Sequence, residues 1–402
     1  MNHRFLLILA AVFLPSATFA EPDPGIAPDN KHIKLRGDFR NLKHKLTVDK
    51  KCHVAFLGGS ITQNTGGHTA MVPAWLRESF PDAEISVTNA GLGSTCSTSG
   101  AFRLGSHIFG GEPVDLLIVE FAVNDDQDAA HARRGCIRGM EGIVRQVHRD
   151  HPLCDLVMVH YVNPSILDKA SKGEASISVS AHEDVAKHHG VTSVDVAGHL
   201  ADTSAAGKYG WKEYGGTHPK PFGYKVASNM ITTALKSGLD KAPAGAKPEP
   251  HNLKPAIDQN SYDQGTFVAP DSAKTGEEWR IGKVGREMLP LGGIRKEYTQ
   301  YDVLRADKPG ATLTLDFEGR GVGMFILAGP DAGMVEASID GSRPIKHDLF
   351  HRHSGGLNYP RSIVFGADLK PGKHTLILKI SSEKNARSKG NAASILFFEV
   401  NR

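Results

Sequence analysis

Residues 54–63 read VAFLGGSITQ. Four apolar residues, the body of a strand, run into two glycines and then a serine and a threonine. A turn alone could be built from many polar residues. A nucleophile needs more: a hydroxyl at the end of a rigid strand, with backbone around it bare enough for a substrate to approach, which glycine allows. A strand that ends this way and opens into a helix is the repeating unit of a parallel α/β sheet, whose sites form at the carboxyl ends of its strands.

The flanking sequence repeats the unit. HVAFL (53–57), EISVTNA (84–90), VDLLIVEFA (114–122), CDLVMVHY (154–161) and VTSVDVA (191–197) are short apolar runs with little alternation. Such runs fit strands covered on both faces. Between them, PAWLRESF (73–80), RGMEGIVRQVHRD (138–150), SISVSAHEDVAKHHG (176–190) and YKVASNMITTALKSG (224–238) carry apolar residues at helical spacing. The expectation is a flavodoxin-like, three-layer α/β domain over residues 51–240. KAPAGAKPEPHNLKP (241–255) has no core pattern and reads as a linker, taken as 241–258. Beyond it the period becomes two, in ATLTLDFEG (311–319), GVGMFILAG (321–329), MVEASIDG (334–341), RSIVFG (361–366), HTLILKISS (374–382) and ASILFFEV (393–400). A second domain over 259–402 is expected, an antiparallel β-sandwich or jelly roll.

The N-terminus, MNHRFLLILAAVFLPSATFA, has a positive Arg4, an apolar run from Phe5 to Leu14, and Thr18 and Ala20 at the −3 and −1 positions of a cleavage site. It reads as a secretory signal peptide cut near Ala20, and the apolar run is shorter than the ~20 residues of a membrane span. Residues 21–50, polar and rich in Pro, Asp and Lys, read as a leader strapped over the surface. The chain of 402 residues has a net charge of only +3 and no basic run with interleaved aromatics, which argues against nucleic acid as a partner. No stable membrane association is expected. Cys52, Cys96, Cys136 and Cys154 match no common zinc spacing. A Cys96–Cys136 disulfide and buried free thiols both stand as readings.

The residues expected at the strand ends are Gly58-Gly59-Ser60-Ile61-Thr62, then NAGLGST (89–95), then AVNDD (122–126), with GGTHPKPFGY (215–224) before the last helix. Together they offer a hydroxyl, glycine backbone amides, a side-chain amide and an imidazole, which are the parts of an acyl-transfer site. A serine hydroxyl needs a base to take its proton, and the tetrahedral oxyanion needs fixed donors.

GGSIT, NAGLGST, FAVND and GTHP, in this order over roughly residues 50–240, resemble the four blocks of the SGNH (GDSL-like) hydrolase superfamily, in the branch whose first block is GGSIT. The resemblance implies Ser60 as nucleophile and oxyanion donor, His218 as base, Asn124 as a second donor, and no metal or organic cofactor. The block-two donor usually stands five residues after the Asn. Counted from Asn89 that place is Ser94, preceded by Gly93, and both are kept. Ala122 stands where a glycine is usual. The usual Asp three residues before the His is replaced by Gly215, so either Ser60 and His218 work as a dyad or another acid, Glu213 or Asp195, serves.

Other residues have plainer expectations. Asp125 and Asp126 read as a helix N-cap and a solvated face. His347, His351 and His353 read as a solvated loop in preference to a metal site. Trp211 and Tyr214 read as a sugar platform or as packing. The function expected is a secreted serine esterase acting on acyl, above all acetyl, esters of carbohydrate. The rivals are a lipase or thioesterase on small acyl esters, and a non-catalytic glycan-binding protein on the same fold.

Overall fold

A computed structural model describes residues 24–402; the signal-like segment lies outside them. Six strands form the first sheet: β1 (Ile33–Lys34), β2 (Lys51–Gly58), β3 (Glu84–Gly91), β4 (Leu116–Val119), β5 (Asp155–His160) and β6 (Thr192–Asp195), in the order β1-β6-β5-β4-β2-β3. β2 to β6 pair in parallel. Alternate residues of β2 serve opposite cores, as a strand's period of two requires. Val54 and Phe56 pack with Leu76, Val226 and Met230 from the helices His68–Ser79 and Pro221–Lys241. Ala55 and Leu57 pack with Phe102, Ile143 and Val147 from the helices Ser97–His107 and Arg133–Asp150. The chain steps outward from β2 to β3 and then returns across β2 to β4. This doubly wound order leaves a crevice between the carboxyl ends of β2 and β4, where such sheets bind ligands.

The leader is not laid over the surface. Its β1 pairs antiparallel with β6, Ile33 opposite Val194. Leu42 and Leu46, on the helical stretch 40–49, are buried in the first core. The expected linker is also tied down: His251 N–H donates to Pro152 O at 2.7 Å, and Ile257 and Asp258 N–H donate to the Glu141 carboxylate at 2.6 and 2.9 Å. Its prolines mark an extended path rather than slack.

Residues 265–401 build the second unit. Strands β7 (Gly265–Val268), β8 (Lys274–Thr275), β9 (Arg280–Lys283), β10 (Asp302–Ala306), β11 (Thr312–Gly319), β12 (Gly321–Ala328), β13 (Met334–Ile339), β14 (Ile345–Asp348), β15 (Tyr359–Gly366), β16 (Gly372–Ile380) and β17 (Ala393–Asn401) form two antiparallel sheets. One runs β15-β12-β17-β10-β9 with β7 beside β17, the other β14-β13-β16-β11-β8. Met324, Ile326, Ile395 and Phe398 of the first face Leu313, Leu315, Val335 and Leu376 of the second. β12 lacks alternation because its other face is covered too: Phe325 and Leu327 pack with Leu92 of the α/β unit and with Tyr298. The two units share further contacts, with Phe267, Val364 and Ala367 against the Phe102–Ile143 core and the buried Arg138 paired with Asp258 and Asp368.

Candidate active site

β2 ends at Gly58, and Ser60 opens a one-turn helix, Ser60–Gln63. The turn is held from below by Glu120, a buried carboxyl just past β4. Its Oε1 accepts from Gly59 N–H at 2.8 Å and from the Thr62 hydroxyl at 2.7 Å. Burial pushes this carboxyl up to about 7. The buried Arg103 donates to Gly58 O at 3.0 Å and to Ala90 O at 2.7 Å, tying the ends of β2 and β3 together. A Cβ on Gly59 would lie 2.2 Å from Asn124 Oδ1, so glycine is what lets the Asn124 amide lie against the turn.

Ser60 Oγ and His218 Nε2 are 2.7 Å apart. His218 is exposed, on the loop between the short helix Trp211–Tyr214 and the helix Pro221–Lys241. Ser60 is its hydrogen-bond partner, and among the described residues no carboxylate bonds to its ring. Gly215, at the usual Asp position, has φ +100°, and a Cβ there would lie 2.6 Å from Lys220 Cβ and 2.8 Å from Lys220 N. The left-handed backbone strains any residue with a Cβ, and Lys220 would have to shift to admit an aspartate. The two substitute acids are engaged elsewhere. Glu213 accepts from Gly210 N–H at 2.9 Å, which holds its carboxyl below the usual value. Asp195 caps the helix Val196–Ala205 through Gly198 N–H at 2.9 Å and sits beside His32.

The three expected oxyanion donors are held in different ways. Gly93 N–H already donates to Gln63 Oε1 at 3.0 Å. Ser94 has φ +67°, and its N–H has no hydrogen-bond partner among the described residues. Asn124 donates one amide hydrogen to Asp128 Oδ2 at 2.8 Å, which fixes the amide and leaves the other hydrogen free.

Asp125 departs from expectation: it is a buried hub. Its carboxylate accepts from Ser97 N–H (2.8 Å), the Ser97 hydroxyl (2.6 Å) and His182 Nε2 (2.9 Å). It thus pins the start of the neighbouring helix Ser97–His107. Burial pushes its carboxyl up, but His131 and His182 outweigh this and hold it well below the usual range. Asp126 is not simply solvated, since it accepts from Asn163 Nδ2 at 2.9 Å. All four cysteines are free and buried; no bond joins Cys96 to Cys136. Cys96 occupies the N-cap of Ser97–His107, and the Cys136 sulfur faces His131 O at 3.9 Å. Cys96, Asp125 and His131, and likewise Asp125, Cys136 and His182, bring ligand-type atoms within 4.8 Å of one another. These are the residues that could hold a cation, though both sets draw on the already engaged Asp125.

The β-sandwich borders the site. A cavity of about 140 Å³ beside it is lined by Ser94, Cys96, Asp128 and His131 from one unit and by Tyr359 and Arg361 from the other. The His-rich loop does not form one cluster. His347 packs on Phe365. His351 is half-buried, stacks on Tyr359 at 4.1 Å and donates from Nε2 to Asp128 O at 3.1 Å, and burial pulls it down to about 4. Tyr214 is buried and Trp211 stacks on it, so both are packing residues. Sequence reasoning missed Glu120, Arg103, Gln63 and Asp128. Only Glu120 left a signal, as a carboxylate inside the apolar run VDLLIVEFA.

Residues 56–226 match the model of the GDSL-like lipase/acylhydrolase family. The α/β domain is a GDSL-like hydrolase domain. The chain also resembles, along nearly its whole length, a solved two-domain esterase active on acetylated mannans. Its structure with mannopentaose is 20% identical, covers 92% of this chain and 97% of that one, and has a TM-score of 0.72. A second structure described in the same words is 21% identical, with coverages of 92% and 98% and a TM-score of 0.70. This likeness extends the shared fold to the pairing of an α/β unit with a β-sandwich. No curated protein sequence matches the chain. The GDSL-like hydrolase is an ester-hydrolysing enzyme.

Proposed function

We propose that the protein is an exported serine esterase that removes acyl groups, above all acetyl, from carbohydrate, with Ser60 and His218 acting as a dyad. The 2.7 Å contact between Ser60 Oγ and His218 Nε2 at the β2/β4 crevice carries the reading. His218 takes the hydroxyl proton as Ser60 attacks the ester carbonyl. The oxyanion is met by the N–H groups of Ser60 and Ser94 and the free Asn124 amide hydrogen. Gly93 plays a supporting part, because its own N–H is spent on Gln63. His218 returns the proton to the departing alcohol, and water repeats the path to release the acid.

A dyad is adequate where the leaving group is a sugar hydroxyl, which is easier to expel than an amine. Export is supported by the N-terminal sequence, and the carbohydrate substrate by the two-domain likeness to an esterase of acetylated mannans. Hydrolysis of 4-nitrophenyl acetate, and acetate release from acetylated mannan and xylan, by wild type beside Ser60→Ala tests the reading. Activity on acetylated polysaccharide that vanishes in the variant is expected. A wild type inert on every ester would return the glycan-binding alternative. Activity on the small ester alone would remove the carbohydrate assignment.

A further inference from the structure

We infer that Arg295 is a positioning residue for the oxyanion donors, and that the β-sandwich serves the reaction by holding both donor loops in place. The inference rests on the esterase reading above.

Ser94 is a non-glycine residue at φ +67°. Such a backbone is strained for a residue with a Cβ and persists only where its surroundings hold it. What holds it is a guanidinium from the other unit. Arg295, just before the turn Lys296–Tyr298, donates from Nη1 to Gly93 O at 2.8 Å and from Nη2 to Ser94 Oγ at 3.1 Å. Gly93 C=O and Ser94 N–H are the two ends of one peptide plane. Because that plane is rigid, gripping the carbonyl aims the N–H away from Arg295. A cationic donor on the carbonyl also polarises the N–H at the other end. The same segment reaches the preceding peptide. Glu297 accepts from Gln63 Nε2 at 2.8 Å, and Gln63 Oε1 accepts from Gly93 N–H. Tyr298 anchors the segment, buried against Leu92 and Phe325.

The second donor loop is treated alike. His351 donates to Asp128 O at 3.1 Å, Arg352 donates to Gln127 O, and the Asp128 side chain fixes the Asn124 amide. None of these bonds involves Ser60 or His218. The sandwich grips the groups that meet the oxyanion and leaves the reacting pair alone.

The test uses 4-nitrophenyl acetate, a substrate too small to need a polysaccharide-binding surface. Arg295→Ala is expected to lower kcat ~10–100-fold, with KM within about twofold and the melting temperature of the α/β unit retained. Millimolar guanidinium ion should restore part of the lost kcat, and Arg295→Lys, which keeps the charge without the fork, should stay well below wild type. If Arg295→Ala does not fold, Arg295→Lys and Glu297→Ala, which removes the acceptor for Gln63 Nε2, are read instead, each with a fall in kcat expected. A raised KM at unchanged kcat would make Arg295 a substrate contact and overturn the inference, as would wild-type kinetics. Wild-type kinetics in Arg295→Ala alongside an inert Ser60→Ala would sink this inference alone. An inert wild type would sink the esterase reading and this inference with it.

Discussion

Ser60 and His218, the proposed nucleophile and base, meet across 2.7 Å, yet they stand in opposite surroundings. Ser60 rises from a turn braced by a buried carboxyl, a buried guanidinium and the Asn124 side chain, and each brace comes from a different strand end or helix. His218 stands on an exposed loop and, among the described residues, hydrogen-bonds through its ring to Ser60 alone. The contrast teaches where the fold invests its rigidity. The turn that carries the proposed attacking oxygen is fixed by the sheet and the proposed donor loops are held from the β-sandwich as well, while the imidazole is left to its loop, whose own backbone disfavours the carboxylate that would have oriented it.

The sharpest way to break the comparison is to remove either member. Ser60→Ala should cost ~10⁴-fold or more in kcat, and His218→Ala ~10²–10⁴-fold, measured by 4-nitrophenolate release. Comparable losses would argue that the two act as one unit. A mild loss for His218→Ala would move the base elsewhere. Next comes Asn124→Ala, expected to lower kcat ~10²–10³-fold with little change in KM. A pure KM effect would reassign Asn124 to substrate binding.

The braced side carries a pH signature. Glu120, raised to about 7 by burial, and Glu399, raised to about 8, hold protons in the native state that the unfolded chain releases near 4.5. At these two groups the native state therefore binds more protons from about 4.5 up to 7 and 8, so the stability they contribute is full below about 4.5 and is lost as pH rises to those values. For Glu120 the loss amounts to about 3 kcal/mol. Buried histidines such as His68, His148 and His351, held neutral in the fold, oppose this fall below about 6.5, so the readout is the melting temperature between pH 7 and pH 9, which should fall less in Glu399→Gln than in wild type; the same fall in both would contradict the assignment. The smallest effect belongs to the unbraced side. Gly215→Asp, which restores the usual acid in name, should lower stability by about 1–3 kcal/mol and raise kcat not at all. A gain in kcat would show that the loop can rearrange to orient His218.

Much of this was readable from the chain. The five parallel strands lie where the apolar runs put them, because strands buried on both faces leave unbroken Val, Leu and Ile stretches. The six runs read as strands of the second unit became β11, β12, β13, β15, β16 and β17, although β12, buried throughout, does not alternate. The short elements were not readable: β1 has two residues, and β8 and β14 are exposed edge strands with no apolar face. The candidate nucleophile, base and oxyanion donors were legible as blocks because each sits at a strand end or before a helix. Their supports were not. Asp128, Gln63 and Arg295 are polar residues whose meaning lies in a partner far away in sequence, and no local pattern marks such pairs. Asp125 was misread for the same reason, since its partners Ser97 and His182 come from two other helices.

β1 has one more consequence. Ile33 and Lys34 lie along the outer side of β6, opposite Val194 and Ser193, and so seal an edge that would otherwise offer its backbone groups to any passing strand. The sealing residues are made before the other strands of the sheet, and their partner β6 is the last of those strands to be made. Local helices and neighbouring parallel strands can form while this pair waits, but the edge stays open until a loop spanning the whole domain has closed. The interval before that closure is when the folding chain is most exposed to association with its own copies.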